Sequence, residues 1–233
     1  MASLISVVTS ECSLLPKRLG SGSGAWFYLI MLAVFGYLLP AGMGYDFLDP
    51  HLLLMYACSA PFFISSVVAE SFGEPSQEPS TLTVLAGKVI TSSLFGWTSS
   101  LVLLSMGLAT INFHQPQQTS VLPEASFLAW IAMLGLSLSL FTVALAAALA
   151  LSVKAPKSIK TILRRGYAWI LIALIILARF GLLEWREAFT SLLTAEGISR
   201  LCGYGSLALA AATILTIVLV IRHPRYSGPV PSK

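Results

Sequence analysis

Long apolar segments recur along the chain at short intervals. A helix needs about 20 largely apolar residues to cross a hydrocarbon core about 30 Å thick. Segments of this kind lie at about residues 25–43, 51–69, 89–111, 127–153, 167–183 and 201–221. The pattern predicts an all-α, polytopic membrane protein in which about six transmembrane helices form a single transmembrane domain over residues 1–233.

Prolines separate these segments, and one of them is an exception. Pro50, Pro116 and Pro156 fall in the predicted connections, where a missing backbone N–H costs nothing. Pro61 lies in the middle of the second segment. We expect Pro61 to kink that helix, and a neighbouring helix or hydroxyl group to satisfy the freed carbonyl.

The N-terminal stretch has a weaker pattern of its own. Leu4, Ile5, Val8 and Cys12 share one face of a helix, which predicts a short helix over about residues 2–16 lying along the inner membrane surface. A frayed tail is the alternative. No basic residue precedes the apolar stretch, which is short, so a cleavable signal is not expected.

The basic residues predict an orientation, because cytoplasmic connections carry an excess of Lys and Arg. If both termini are cytoplasmic, the N-in/C-in topology leaves outside only three of the 14 Lys and Arg residues, namely Arg179, Arg186 and Arg200. Five basic residues crowd the predicted inner connection before the fifth segment: Lys154, Lys157, Lys160, Arg164 and Arg165. They are candidates for contact with inner-leaflet headgroups or a partner, and the alternative is that they serve topology alone.

The composition argues against chemistry inside the membrane. Only 10% of residues are charged, against roughly 25% in soluble domains. Asp46, Asp49, Glu70 and Lys88 lie at or near segment ends, and no segment has a central His. The three Cys form no CxxC pair, and the glycine-rich strings lack the features of a phosphate loop. We therefore expect no enzyme, with no catalytic residue, cofactor or metal site.

The connection between the second and third segments carries the most specific pattern. It reads Val-Val-Ala-Glu-Ser-Phe-Gly-Glu over residues 67–74 and Thr-Leu-Thr-Val-Leu-Ala-Gly-Lys over residues 81–88. This resembles the ABC-2-type permeases, which are the membrane subunits of a class of ABC exporters. In that family an acidic-aromatic stretch ends the second helix, Thr-Leu follows, and Gly-Lys opens the third. The six segments, the N-in topology and the surface helix are similar as well.

The resemblance implies a function for this connection. In the family it forms a coupling helix that docks on a separate ATPase subunit, and the permease works as a dimer. The implied ATPase-coupling segment here comprises Glu70, Phe72, Glu74, Thr81, Leu82, Gly87 and Lys88. Residues 74–80 depart from the family pattern, because they lack the usual Arg and contain two prolines.

Several functions remain open from the sequence. The first is a permease subunit of an ATP-driven exporter, as a homodimer or heterodimer, in a bacterial inner membrane as the resemblance implies. The second is a non-transporting scaffold or accessory subunit. A third, an ion- or proton-coupled carrier, would depend on Asp46 or Asp49. The expected partners are membrane lipids and an ATPase subunit, and no nucleic acid.

Overall fold

The computed structural model describes the chain in seven stretches, which are residues 3–20, 23–48, 50–73, 82–114, 123–152, 156–180 and 195–222. Within these stretches all regular secondary structure is helical, which confirms the predicted all-α class. The helices are α1 (Leu4–Gly20), α2 (Ser23–Ala33), α3 (Leu39–Met43), α4 (Pro50–Gly73), α5 (Leu82–His114), α6 (Ala125–Ser152), α7 (Pro156–Phe180) and α8 (Ala195–Arg222). A π-helical turn, Val34–Leu38, joins α2 to α3, and a 3₁₀ turn, Gly44–Leu48, follows α3.

Four of these helical segments are long and apolar enough to cross a membrane, namely Ala25–Met43, Leu82–His114, Ala125–Leu151 and Glu196–Arg222. They also expose large apolar side chains, with Trp26 of α2 71% exposed and Leu207 of α8 68% exposed. Water would penalise such surfaces, whereas lipid does not. The chain is therefore an integral membrane protein.

The predicted count of six spans stays a prediction. The second predicted segment lies in α4, which contains the apolar stretch Leu53–Ala69. The fifth lies in α7 but extends to residue 183, beyond the described residues. α4 continues through Pro61 as one helix.

Two helices begin earlier than the sequence predicted. α5 begins at Leu82, so Gly87 and Lys88 lie inside the helix rather than at its start. α7 begins at Pro156, and Pro suits this first position because the first N–H of a helix needs no partner. The basic residues from Lys157 onward therefore lie on turns of α7 and not in a loop.

α4 lies at the centre of the helix packing. It packs against α5, α6 and α7, while α6 packs in turn against α5 and α8. Small side chains permit this closeness. A Cβ atom added to Gly96 of α5 would lie 2.3 Å from Cγ2 of Ile64 on α4 and 3.0 Å from Oγ of Ser139 on α6. Gly96 is thus a point where three helices meet.

The π-helical turn leaves two backbone carbonyls without their usual helical partners. The N–H of Leu39 donates to the carbonyl of Val34, five residues back, so it does not reach Phe35. Pro40 has no N–H to donate to Gly36. The carbonyls of Phe35 and Gly36 therefore need donors from elsewhere, because apolar surroundings offer no water.

Side chains from two neighbouring helices supply those donors. The hydroxyl of Tyr56 on α4 donates to the carbonyl of Phe35 over 3.0 Å. The hydroxyl of Thr110 on α5 donates to the carbonyl of Gly36 over 2.9 Å. The irregular turn is thereby joined by hydrogen bonds to α4 and α5.

Candidate functional site at the junction of α1, α4 and α5

α1 contacts the start of α5 and the end of α4, which are the two helix ends that flank the predicted coupling connection. Its backbone approaches α5 at Val7. A Cβ atom added to Gly87 would lie 2.4 Å from Cγ1 of Val7 and 3.1 Å from its Cβ. Gly87 therefore admits α1 at a distance that a larger residue would not allow.

A buried carboxylate joins α1 to α4. Glu11 is 7% exposed, and it is the one buried residue among the described Asp, Glu, Lys and Arg residues. Its Oε2 atom accepts hydrogen bonds from the guanidinium of Arg18, also on α1, and from Oγ of Ser71 on α4, the latter over 3.2 Å. These donors offset the cost of removing the carboxylate from water.

Lys88 joins α5 to the end of α4. Its Nζ atom donates to the backbone carbonyl of Ser71 over 2.7 Å and lies 5.8 Å from the ring centroid of Phe72. Ser71 is in the last turn of α4, where carbonyls lack helical partners and the helix dipole favours a cation. Ser71 thus bonds to α1 through its side chain and to α5 through its backbone.

We define the junction as this set of contacts between three helices, formed by Val7, Glu11, Arg18, Ser71, Phe72, Gly87 and Lys88. Of the seven residues predicted for ATPase coupling, the structure brings Phe72, Gly87 and Lys88 together here. Leu82 lies apart from these contacts at the first turn of α5 and is 52% exposed. Glu74 and Thr81 lie outside the described residues.

Glu70 belongs to α4, and its side chain is not among those that the structure describes.

The sequence patterns missed the contribution of α1 to the junction. Glu11 is the one acidic residue of α1, and it lies two helical turns before Arg18. This spacing could have indicated an ion pair along one side of the helix. The predicted apolar face is not the one that contacts the other helices. Ile5 is 79% exposed and Cys12 is also exposed, while Val7 and Glu11 are buried. An apolar face directed away from the other helices suits a helix at a membrane surface.

The four described residues of the predicted basic cluster lie on different sides of α7. Arg164 faces the other helices, where its Nε atom donates to Oγ of Ser65 over 3.1 Å and its Cζ atom lies 4.7 Å from the ring centroid of Phe27. Lys157 and Arg165 are exposed.

Of the remaining two, Lys160 is half-buried, and Lys154 lies outside the described residues.

Most of the buried polar side chains in the described helices are the hydroxyl groups of Ser and Thr. Ser65, Ser139 and Thr142 are fully buried in α4 and α6. In the described stretches, no three His, Cys, Asp or Glu side chains come close enough to hold a metal ion.

No protein-family model, curated protein or solved structure matches this chain. The resemblance to ABC-2-type permeases therefore rests on the sequence pattern of residues 67–88 and on the helical architecture.

Proposed function

We propose that the chain is the membrane-spanning permease subunit of an ATP-driven exporter that works with a separate ATPase subunit. The observation that carries this proposal is the junction. Residues 74–81 leave α4 directly after Ser71 and Phe72 and lead into α5 a short distance before Gly87 and Lys88. A partner that docks on these residues would therefore act on two helix ends that are bonded to each other.

The contacts of the junction suit the transmission of such a force. The bond between Lys88 and the Ser71 carbonyl couples α5 to α4, and the bond between Ser71 and Glu11 couples α4 to α1. α4 is also the helix that packs against α5, α6 and α7. A displacement of the α4 end would consequently reach most of the helices, because packed helices move as rigid elements.

Co-purification tests this function. Tagged protein is isolated in mild detergent from its native cells, and the proteins that accompany it are identified by mass spectrometry. The test variant is Glu74→Lys with Glu78→Lys, which reverses charge in the connection. The matched control is Glu124→Lys with Glu196→Lys, at exposed carboxylates beside α6 and on α8. We expect an ATPase subunit with the unchanged protein and the control, and its loss from the test variant.

A non-transporting scaffold is the alternative, and the same experiment distinguishes it. A scaffold would be recovered folded and in good yield without any ATPase, from the unchanged protein as from both variants. An ATPase that stays bound to the test variant would instead place the docking surface elsewhere than residues 74–81.

A further inference from the structure

One face of α7 presents a row of exposed residues that are not part of the junction. Lys157, Thr161, Arg165 and Trp169 follow one another at intervals of four, which places them along one side of the helix. All four are exposed, and Trp169 is 68% exposed. We name these four residues the α7 ridge.

The opposite side of α7 holds the ridge in place. Ile159 and Leu163 are buried, with exposures of 0% and 2%, and pack with residues of α4 and α6 such as Val68 and Val143. Arg164 adds its hydrogen bond to Ser65 and its contact with Phe27. The ridge therefore faces outward from a helix whose inner side is packed and bonded.

The charged residues along α7 are all basic. Residues 153–183 contain no Asp or Glu, and the two exposed cations of the ridge belong to the group of five basic residues at 154–165. Each Lys or Arg close to an anionic membrane surface favours binding roughly fivefold. A partner of negative charge is thus complementary to this surface.

Trp169 indicates that the partner is a lipid. From residue 170 to residue 178 the chain is uninterruptedly apolar, so Trp169 lies where α7 changes from mixed to apolar sequence. Trp is enriched at this level of membrane proteins, because its ring is apolar while its N–H is polar. Arg165 lies about one helical turn on the polar side of Trp169, which is the depth of the lipid phosphates, and Lys157 lies about two turns further out, on the aqueous side of the headgroups.

We propose that the α7 ridge binds the headgroups of anionic phospholipids, with Arg165 contacting phosphate, Lys157 attracting the anionic surface from its aqueous side and Trp169 lying against the adjoining glycerol and acyl region. The small side chain of Thr161 leaves room between the two cations. Arg164 is not part of this surface, because its guanidinium faces Phe27. The inference does not depend on the proposed transport function.

Fluorescence quenching by brominated lipids tests the proposal. The full-length protein is reconstituted into phosphatidylcholine vesicles that contain a small, equal fraction of brominated phosphatidylglycerol or of brominated phosphatidylcholine. The signal of Trp169 is obtained by subtracting the fluorescence of Trp169→Phe. We expect brominated phosphatidylglycerol to quench Trp169 at least about twofold more strongly than brominated phosphatidylcholine.

Two charge variants make the test specific to the ridge. Lys157→Gln with Arg165→Gln should remove the preference for phosphatidylglycerol. The matched control, Lys17→Gln with Arg222→Gln, removes the same charge from exposed positions on α1 and α8 and should keep it. Arg165→Gln alone serves if the double variant does not remain monodisperse, and it should lower the preference.

Equal quenching by the two lipids in the unchanged protein would overturn the proposal. So would a preference that survives in the ridge variants, or one that the control loses to the same extent, since either result means a general effect of net charge. An acidic polypeptide that changes Trp169 fluorescence in vesicles where the brominated lipids show no preference would likewise overturn it, in favour of a protein partner.

Discussion

At the scale of single residues, two small side chains of the junction decide how three helices meet. Ser71 has its hydroxyl on Glu11 and its carbonyl on Lys88, so one residue bonds to both neighbouring helices. Gly87 has no side chain, and this absence lets Val7 approach α5. Neither residue carries charge or bulk, and their role depends entirely on their neighbours.

Gly87→Ala should displace α1. The new Cβ would lie 2.4 Å from Cγ1 of Val7, and a β-branched side chain cannot easily rotate away. Overpacking of this kind costs about 1–3 kcal/mol, more than the roughly 0.5–1 kcal/mol by which Ala favours a helix over Gly. We expect a lower apparent Tm in detergent, measured by size-exclusion chromatography after heating.

Gly166→Ala is the matched control, because an added Cβ there meets nothing within 4 Å on α7. It should leave the Tm unchanged or raise it slightly. Adding Val7→Ala to Gly87→Ala should restore part of the lost stability. Equal Tm values for Gly87→Ala and Gly166→Ala would contradict the close approach of α1.

At the scale of elements, the π-helical turn Val34–Leu38 is the main irregularity of the described spans. It removes two carbonyls from the regular bonding pattern of the helix, and Tyr56 and Thr110 supply hydroxyls to them. The turn, α4 and α5 are thus connected by polar bonds as well as by apolar packing. Such bonds between membrane helices are worth on the order of 1 kcal/mol each.

Tyr56→Phe and Thr110→Val should each destabilise the protein. Each substitution keeps the shape of the side chain and leaves one carbonyl of the turn without a donor, which costs about 1 kcal/mol or somewhat more. We expect both variants to lower the apparent Tm and the pair to lower it further. The measurement is the thermal midpoint of the purified protein in one detergent.

Thr98→Val is the control for this pair, since the Thr98 hydroxyl is exposed and donates to carbonyls of its own helix. It should change the Tm little. If Thr110→Val behaved like Thr98→Val, the bond from Thr110 to the turn would not contribute to stability.

At the scale of the whole molecule, the distribution of charge predicts how the chain crosses the membrane. Large apolar side chains are exposed on α2 and α8. That arrangement suits lipid on either side but does not distinguish the two orientations. The distribution of Lys and Arg does, and it predicts both termini in the cytoplasm.

Labelling of single cysteines in intact cells tests the topology. In a variant without Cys12, Cys58 and Cys202, a membrane-impermeant maleimide should label Gln117→Cys from outside. It should label Ser158→Cys on α7 and Ser227→Cys near the C-terminus only after the cells are permeabilised. This is the result that six spans with cytoplasmic termini require.

Other patterns have clear meanings. Labelling of Ser158→Cys but not Gln117→Cys in intact cells would invert the orientation. Labelling of Ser227→Cys from outside, with the other two as expected, would mean that one of the last two predicted spans does not cross. Labelling of an added cysteine at the exposed position Arg222 controls for access near the C-terminal end of α8.

Hydropathy was sufficient to predict the helical class and the approximate positions of the helices, because the bilayer sets the length of an apolar segment irrespective of its neighbours. Within the described residues, each predicted segment overlaps the helical stretches from α2 to α8. The starts of α5 and α7 were predicted too late. A lysine can lie within a helix when its ammonium group is hydrogen-bonded to a carbonyl, as in Lys88, or exposed, as in Lys157.

The partners of each side chain depended on the tertiary structure. Phe72, Gly87 and Lys88 could be singled out from the sequence. The contact of Gly87 with Val7 and the bond of Ser71 to Glu11 could not, because these partners are 60 residues or more apart along the chain. In the same way, five neighbouring cations look alike in the sequence. The 3.6 residues per turn of a helix place Arg164 on a different side of α7 from Lys157 and Arg165. The packing of α7 against α4 then decides that the Arg164 side faces Phe27 and Ser65 while Lys157 and Arg165 face outward.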